Sequence, residues 1–370
     1  MSLCPGLMTG VIGLAMIVLA LGSNMISSKK PAGSASGVPA ADANGGGCVE
    51  LDRHFFTWGR RKQLTEKNGK TSKVMTLREA VRKYVTDGCS VTFGGFIGRD
   101  CVAAVHEIIR QGIKDLTVID DSKTDMMDLL VGAGCVKRWE GAYLGYGAIG
   151  LAPNIRRSVE KGVPLKIELE DWSNNGISMR FLAGAMNLPF MAIRSMLGTD
   201  IVKYNPRIKV IEDPYEGRPI ALVPAARPDV AIIHVQRADA MGNAQVWGFN
   251  GNDENKARAA KHTIITCEEI VSTDEIRRQG NLTLIPFYCV DAVVQVPFGC
   301  HPQSCYGYYA YDVLFCSDYH EAAKNRDKFL KWLDRYVLSA EDHMDYCAKV
   351  GWDRLQKLMR LERHFNRIPG

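Results

Sequence analysis

The stretch DGCSVTFGGFIGRD, residues 87–100, is where the fold declares itself. A short apolar, β-branched run (89–93) ends in two glycines and a phenylalanine, the pattern of a strand handing over to a helix. Upstream, TLREAVRKYVTDG (76–88) puts Leu77, Ala80, Val81, Tyr84 and Val85 on one helical face, with Thr76 and Glu79 spaced as a capping box and Gly88 as a stop. Downstream, Asp100 is placed to cap a second helix that is apolar at Ala103, Val105, Ile108 and Ile109 and ends at Gly112. DLTVIDD (115–121) then reads as a second strand. Helix, strand, glycine turn, helix, strand is a βαβ unit, and its crossover requires parallel pairing with a right-handed connection.

Further along, DVAIIHVQ (229–236), HTIITCEE (262–269) and VDAVVQVP (290–297) are near-continuous β-branched runs, as strands buried on both faces of a parallel sheet require. The expected fold is therefore α/β: an open, mostly parallel sheet with flanking helices. Residues 320–365 are helical in pattern and charged, with Phe329, Leu330, Trp332, Leu333 and Val337 as their apolar stripe. Residues 73–370 contain no internal repeat or clean linker and are read as one domain with helices at its C-terminal end.

At 370 residues, 46% hydrophobic and 24% charged, the chain is long enough to bury a sizeable core. Its net charge of +5 is concentrated: residues 1–74 hold nine of the 46 Lys/Arg and four of the 41 Asp/Glu, which leaves 37 of each sign in the remainder. That balance excludes the basic face needed to follow a phosphate backbone, so no nucleic-acid partner is expected. The eleven cysteines lack paired spacing and several lie inside apolar runs, which fits reduced thiols and a cytoplasmic location. Residues 1–72 form a separate segment. An uncharged apolar run at 7–22 is slightly short for a bilayer span, and no positive charge precedes it; Lys29 and Lys30 follow. Residues 23–47 are rich in Ser, Ala, Gly and Pro and are expected to be disordered, and 59–70 is a polar lead-in. Membrane contact through 7–22, a cleaved signal, and a translation start nearer Met75 stay open as readings of this segment.

In open parallel sheets ligands gather at the carboxyl ends of strands. Gly94 and Gly95, lacking Cβ atoms, would let a ligand reach the main chain and turn their N–H groups toward an anionic or thioester oxygen, with Phe96 as a wall. A plain tight turn with a core phenylalanine is the alternative, and the spacing matches neither a dinucleotide fingerprint nor a P-loop. With its flanks included, however, the stretch resembles the signature of the α subunit of family I coenzyme A transferases, most closely the glutaconate type. The likeness continues through DLLVGAGCVKR (128–138), NLPFMAIRSMLGTD (187–200), PDVAIIHVQRADAMGNAQVWG (228–248), AAKHTIITCEEIVSTDEIRR (259–278) and CVDAVVQVPFGCHPQSCYGYYAYD (289–312). The chain departs from the family pattern after Phe96, where Ile97-Gly98-Arg99 stands in place of a glycine and a proline. It departs again at 119–125, IDDSKTD, a loop that is not glycine-rich.

The resemblance implies a two-subunit enzyme that moves coenzyme A between an acyl-CoA and a free carboxylic acid such as a short dicarboxylate. It implies ping-pong covalent catalysis on a glutamate of a β subunit. CoA thioester is then substrate, and no permanently bound cofactor is expected. This chain lacks the family's Ser-x-Glu-Asn-Gly loop. Its contribution would be Gly94, Gly95 and Phe96 as the CoA-binding turn, with the Gly95 and Phe96 amides as oxyanion donors. Arg99, Ser122, His301 and Gln303 are the candidate contacts to substrate. Glu170, expected as a solvated loop carboxylate, and Glu268 and Glu269, expected in the first turn of a helix, are the acids one would otherwise try. His234 reads as a core histidine. Cys300, His301 and Cys305 invite a zinc site, but their spacing is not a standard ligand set and no second pair accompanies them, so no metal is expected. The nearest rival is a ring-opening CoA-thioester hydrolase on the same fold, with Asp171 as a candidate acid.

Overall fold

The computed structural model describes residues 72–96, 98–123, 125–145 and 150–365, all within the second of two units, Arg61–Gly370. The apolar run 7–22, the segment 23–47 and the lead-in 59–70 lie outside the described residues. In chain order the fold runs α1 (Leu77–Tyr84), β1 (Ser90–Phe93), α2 (Val102–Arg110), β2 (Leu116–Lys123), α3 (Asp125–Gly132), β3 (Val136–Leu144), α4 (Pro153–Lys161), β4 (Glu168–Asp171), α5 (Asn174–Ala185) and β5 (Phe190–Ile193). It continues with α6 (Asp200–Tyr204), β6 (Lys209–Glu212), β7 (Pro219–Pro224), β8 (Val230–Asp239), β9 (Ala244–Gln245), α7 (Asp253–Ala259), β10 (His262–Val271), α8 (Thr273–Arg278), β11 (Thr283–Ile285) and β12 (Ala292–Gln295). Four helices close it: α9 (Val313–Ala323), α10 (Arg326–Leu333), α11 (His343–Val350) and α12 (Trp352–Phe365).

Seven strands pair in parallel in the order β12-β10-β8-β1-β2-β3-β4, and β9 and β11 add antiparallel pairing beside β8. The expected βαβ unit is present: Val91 lies in register with Val118 of β2 and, on its other side, with Val230 of β8. Val230 and Ile232 pack into one apolar cluster with α2 and α3, and Ala231, Ile233 and Val235 pack into another with Ala257 and Ala260. Burial of alternate residues on opposite faces is why β8 is apolar throughout. A second, antiparallel sheet, β5-β7-β6, carries its own cluster around Trp172, Phe181 and Val223.

Local signals hold in part. The Thr76–Glu79 capping box forms, but α1 ends at Tyr84, ahead of Gly88. Asp100 does not cap α2; the cap position is Cys101 without a side-chain bond, and every residue from Val102 to Ile109 is buried. The loop expected at 119–125 is largely strand, since β2 runs to Lys123. At the N-terminal side, Met75 N–H donates to Val293 O and Val293 N–H to Lys73 O, so the chain from Lys73 onward borders β12. Among the described residues no helix is long and apolar enough to cross a membrane.

Candidate functional site

The strand order reverses at β1: the chain steps from β1 through β2 and β3 to β4 on one side, and from β8 through β10 to β12 on the other. At such a switch point the connections leave in opposite directions and open a crevice beyond the carboxyl ends of the two central strands. Gly94 and Gly95 follow β1 at that place. Gly95 sits at φ +82, and a Cβ there would lie 2.5 Å from the carbonyl carbon and oxygen of Arg99; at Gly94 it would lie 2.7 Å from Ile233 Cγ2. The double glycine answers two close main-chain approaches, one to β8 and one to the returning segment at 98–99.

The main-chain polar groups of both glycines are held. Gly94 N–H donates to Ile232 O (2.7 Å) and Gly95 N–H to Asp253 Oδ1 (3.0 Å). The expectation that these two amides are open to a ligand is thereby corrected: a buried N–H must be paired, and here the chain itself supplies the acceptors. Lys123 Nζ donates to Gly94 O (3.2 Å) and Gly95 O (2.5 Å), and Lys256 Nζ to Phe93 O (2.9 Å). Asp120 Oδ2 accepts Phe93 N–H. The two lysines are also ion-paired: Lys256 to Asp120 (2.6 Å) and Asp121 (3.3 Å), Lys123 to Asp100 and Asp120 (3.7 Å each). All six charged residues are buried. Burial pushes the Asp100 carboxyl up to about 7 and Asp120 up to about 6, with the ammonium of Lys123 opposing both. For Asp121 burial raises as well, but Lys256 and Lys123 outweigh it and hold the carboxyl well below its usual range. Asp100, Asp120, Asp121, Lys123, Asp253 and Lys256 escaped sequence reasoning as site residues. The available signal was the charge run DDSK closing an otherwise apolar strand.

The remaining candidates are distributed unevenly. Phe96 is half-buried against Phe249, ring centroids 5.5 Å apart. Arg99, a candidate substrate contact, is buried at φ 58; it pairs with Asp253 (2.8 Å) and donates to His234 O (2.8 Å) and Phe249 O (2.7 Å). Ser122 lies on β2 itself and donates to Asn174 Oδ1. His301 is fully buried between Tyr346 OH (2.7 Å) and Asp312 (3.1 Å), and burial lowers its pKa despite the carboxylate. Gln303 donates to Asp125 Oδ1 (2.7 Å). His301 and Gln303 thus bond to buried neighbours of the 298–307 segment, whose Ser304 O accepts the Arg99 N–H beyond the glycine turn. Glu170, expected in a solvated loop, is a buried residue of β4, bound by Arg138 and Arg207. Glu268 and Glu269 lie in β10, not in a helix, because the strand runs on to Val271. His234 is a fully buried residue of β8, as expected.

Beside the turn, Gly98, Arg99, Trp247, Phe249, Ser304, Tyr306 and Glu362 line a cleft of about 170 Å³. That is narrower than the roughly 300–1,000 Å³ that enclose a drug-sized ligand. It suits a slender chain passing between aromatic walls.

Comparison with known proteins agrees with this geometry. The family model for coenzyme A transferase matches residues 74–296. The chain is 39% identical to a 3-oxoadipate CoA-transferase chain of Pseudomonas knackmussii, over 75% of this chain and 98% of that one. The crystal structure of glutaconate coenzyme A-transferase from Acidaminococcus fermentans superposes with a TM-score of 0.74 at 38% identity, covering 78% of this chain and 95% of that one. A cholesterol ring-cleaving hydrolase chain of Rhodococcus jostii is 27% identical over 76% of this chain and 96% of its own length. The matched segment spans the whole parallel sheet from the strand pairing at Val74 to β12, glycine turn included, and the chain belongs to the coenzyme A transferase family.

Proposed function

We propose that this chain is the α subunit of a heteromeric, cytoplasmic CoA-transferase, and that it works with a β subunit carrying the nucleophilic glutamate. That carboxylate attacks the acyl-CoA carbonyl, forming an acyl-glutamyl anhydride and expelling the CoA thiolate. The thiolate attacks the glutamyl carbonyl, giving a glutamyl-CoA thioester and releasing the first acid. A second carboxylate, from a short dicarboxylate such as glutaconate, repeats the two steps in reverse and leaves as its CoA ester.

The observation that carries this reading is the glycine turn at the switch point, held by buried lysines and followed by Gly98 and Arg99, which line the aromatic cleft. Gly95 O points to Lys123, and across a trans peptide the N–H of the next residue points the opposite way. Phe96 N–H is therefore aimed away from the lysine lattice and is the main-chain donor proposed for the oxyanion, where one donor contributes about 3 kcal/mol. Gly94 and Gly95 act by letting β8 and residues 98–99 close on the turn, which fixes the direction of the Phe96 amide. Ser122 is the substrate contact retained at the end of β2, and Arg99, His301 and Gln303 support the turn and the 298–307 segment. Glu170, Glu268 and Glu269 are each tied to partners within the chain, which favours a nucleophile from the other subunit.

The test is co-purification with a β-like chain and measurement of CoA transfer to acetate and to dicarboxylates, with borohydride trapping of the thioester. Transfer that requires the partner, with a trapped glutamyl thioester on it, is the expected result; thioester turnover by this chain alone defeats the proposal. The hydrolase reading has its own support in the ring-cleaving relative and in Asp171, exposed at the carboxyl end of β4. It requires release of the acid with water as sole acceptor and no trapped thioester.

A further inference from the structure

Four buried side chains with no part in the transfer chemistry above converge behind the cleft: His234 from β8, Glu268 from β10, and Cys300 and Cys305 from the segment that follows β12. One ligating atom of each lies within 4.8 Å of all the others, and His234 Nε2 stands 3.0 Å from Glu268 Oε1. Zinc bound at its usual 2.0–2.3 Å spaces tetrahedral ligand atoms roughly 3.3–3.8 Å apart, so small shifts convert the quartet into a coordination shell. By sequence alone zinc is set aside, because the spacing of Cys300, His301 and Cys305 is not a standard ligand set and no second pair accompanies them. The fold turns His301 toward Tyr346 and Asp312 and brings in two residues from strands instead.

The surroundings hold these atoms in place. His234 Nδ1 is 3.0 Å from Thr266 Oγ1; with the hydroxyl as acceptor the ring keeps a proton on Nδ1, and zinc takes the place of the proton that Nε2 shares with Glu268, as histidine ligation requires. Tyr309 OH donates to Glu268 Oε1 (2.7 Å), and Phe298 N–H donates to Oε2 (2.8 Å). Cys300 N–H donates to the same tyrosine hydroxyl (3.0 Å), and Cys305 N–H to Tyr309 O (3.0 Å). Gly299 packs so tightly on the ring that a Cβ there would fall 2.7 Å from His234 Cε1. Arg99, donating to His234 O, brings a positive charge to the back of the group.

We propose that His234, Glu268, Cys300 and Cys305 form a closed zinc site that pins residues 298–307 to β8 and β10. Four protein ligands and no exposed position make it structural rather than catalytic. A borderline-soft dication suits two thiolates, an imidazole and a carboxylate, and the thiol protons together with the proton between His234 Nε2 and Glu268 leave for solvent on binding. Its effect on the enzyme is indirect: the pinned segment supplies Ser304 and Tyr306 to the cleft.

The test uses the full chain, purified under reducing conditions and reconstituted with zinc, and reads bound metal by elemental analysis. About one zinc per chain is expected, with affinity against a chelator falling at least about tenfold in Cys305→Ser and in Thr266→Val, the loss typical of a ligand or its support. Wild-type protein loaded with cobalt(II) gives a readout that does not depend on any variant folding: a thiolate-to-cobalt charge-transfer band and the intense visible bands of tetrahedral coordination. No zinc above background after reconstitution, a cobalt spectrum without the thiolate band, or a Cys300–Cys305 disulfide in the reduced preparation overturns the proposal. None of these measurements depends on the transferase assay.

Discussion

Replacing Gly95 by alanine probes the turn most directly. Two effects add. The residue sits at φ +82, where an L side chain is strained by about 1–2 kcal/mol. The new methyl would also lie 2.5 Å from Arg99 C and O and 2.7 Å from Gly98 O, and these are backbone atoms that no rotamer change can move. Arg99 is fastened by its ion pair and two carbonyl bonds, so relief requires shifting a pinned segment, at about 1–3 kcal/mol for an overpacked interior. The total is about 2–5 kcal/mol. Gly88→Ala is the internal control: its φ is +76, yet a Cβ there meets nothing within 4 Å, so it carries the strain alone. Denaturant unfolding of both variants against wild type isolates the packing contribution. In the assembled enzyme, displacement of the turn by about 1 Å is expected to lower turnover on the order of 100-fold in Gly95→Ala and to leave Gly88→Ala unaffected. Equal destabilisation of the two variants, or full activity of the assembled Gly95→Ala enzyme, refutes the close-approach account of the turn.

Lys256→Met leaves Asp120 and Asp121 without their shared ammonium and is expected to destabilise by about 3–5 kcal/mol in urea denaturation. The deficit should shrink as pH falls from 7 to 5, because the freed carboxylates then take up protons; a pH-independent deficit contradicts the ion-pair assignment. For Asp100 the folded pKa of about 7 lies above the ordinary 3.8. Its contribution to stability is therefore complete below about pH 4 and is lost as pH rises toward 7, by at most about 1.4 kcal/mol per pH unit. Asp100→Asn should flatten the stability profile over that window, and a profile parallel to wild type counts against the assignment. A chain started at Met75 loses Lys73 N–H to Ala240 O, Val293 N–H to Lys73 O, and Lys73 Nζ to Phe287 O. At about 0.5–1.5 kcal/mol each, it should be roughly 1.5–4.5 kcal/mol less stable than a chain started at Ser72. Indistinguishable melting of the two removes Lys73 from the fold.

What sequence reasoning found follows from how far each signal reaches along the chain. The βαβ unit from Thr76 to Asp121 was legible because capping, amphipathic spacing and β-branched runs act within a few residues. The strands β8, β10 and β12 were legible because burial on both faces excludes polar residues. β3 and β4 were not: Arg138, Glu140 and Glu170 make them look like solvated segments until Arg180 and Arg207 arrive from later elements to neutralise them. Local logic puts Asp100 at the nearest helix end, where an aspartate belongs, whereas the fold gives it to Lys123. Adjacency groups His301 with Cys300 and Cys305, whereas the residues beside those thiols, His234 and Glu268, come from strands more than thirty positions earlier.

The same reach explains why six charges lie buried behind a turn that has almost no side chain of its own. Glycines offer no surface by which packing could hold them, and they lose more conformational entropy on ordering than other residues. The turn can be positioned only through its main-chain groups. Five of these, Phe93 N and O, Gly94 O, and Gly95 N and O, each meet a charged side chain: Asp120, Lys256, Lys123, Asp253 and again Lys123. An apolar backing of the same volume would leave these groups unpaired in the interior, and a lone lysine or aspartate would be an uncompensated buried charge. Alternating ammonium and carboxylate groups satisfy both demands, and in doing so they set the direction of each peptide plane. With both glycine carbonyls drawn toward Lys123, the amides on the far side of those planes face opposite to it: that of Gly95 meets Asp253, and that of Phe96 is the one we assign to the crevice. On this reading the lattice is the reason a featureless glycine pair can present one donor in one direction.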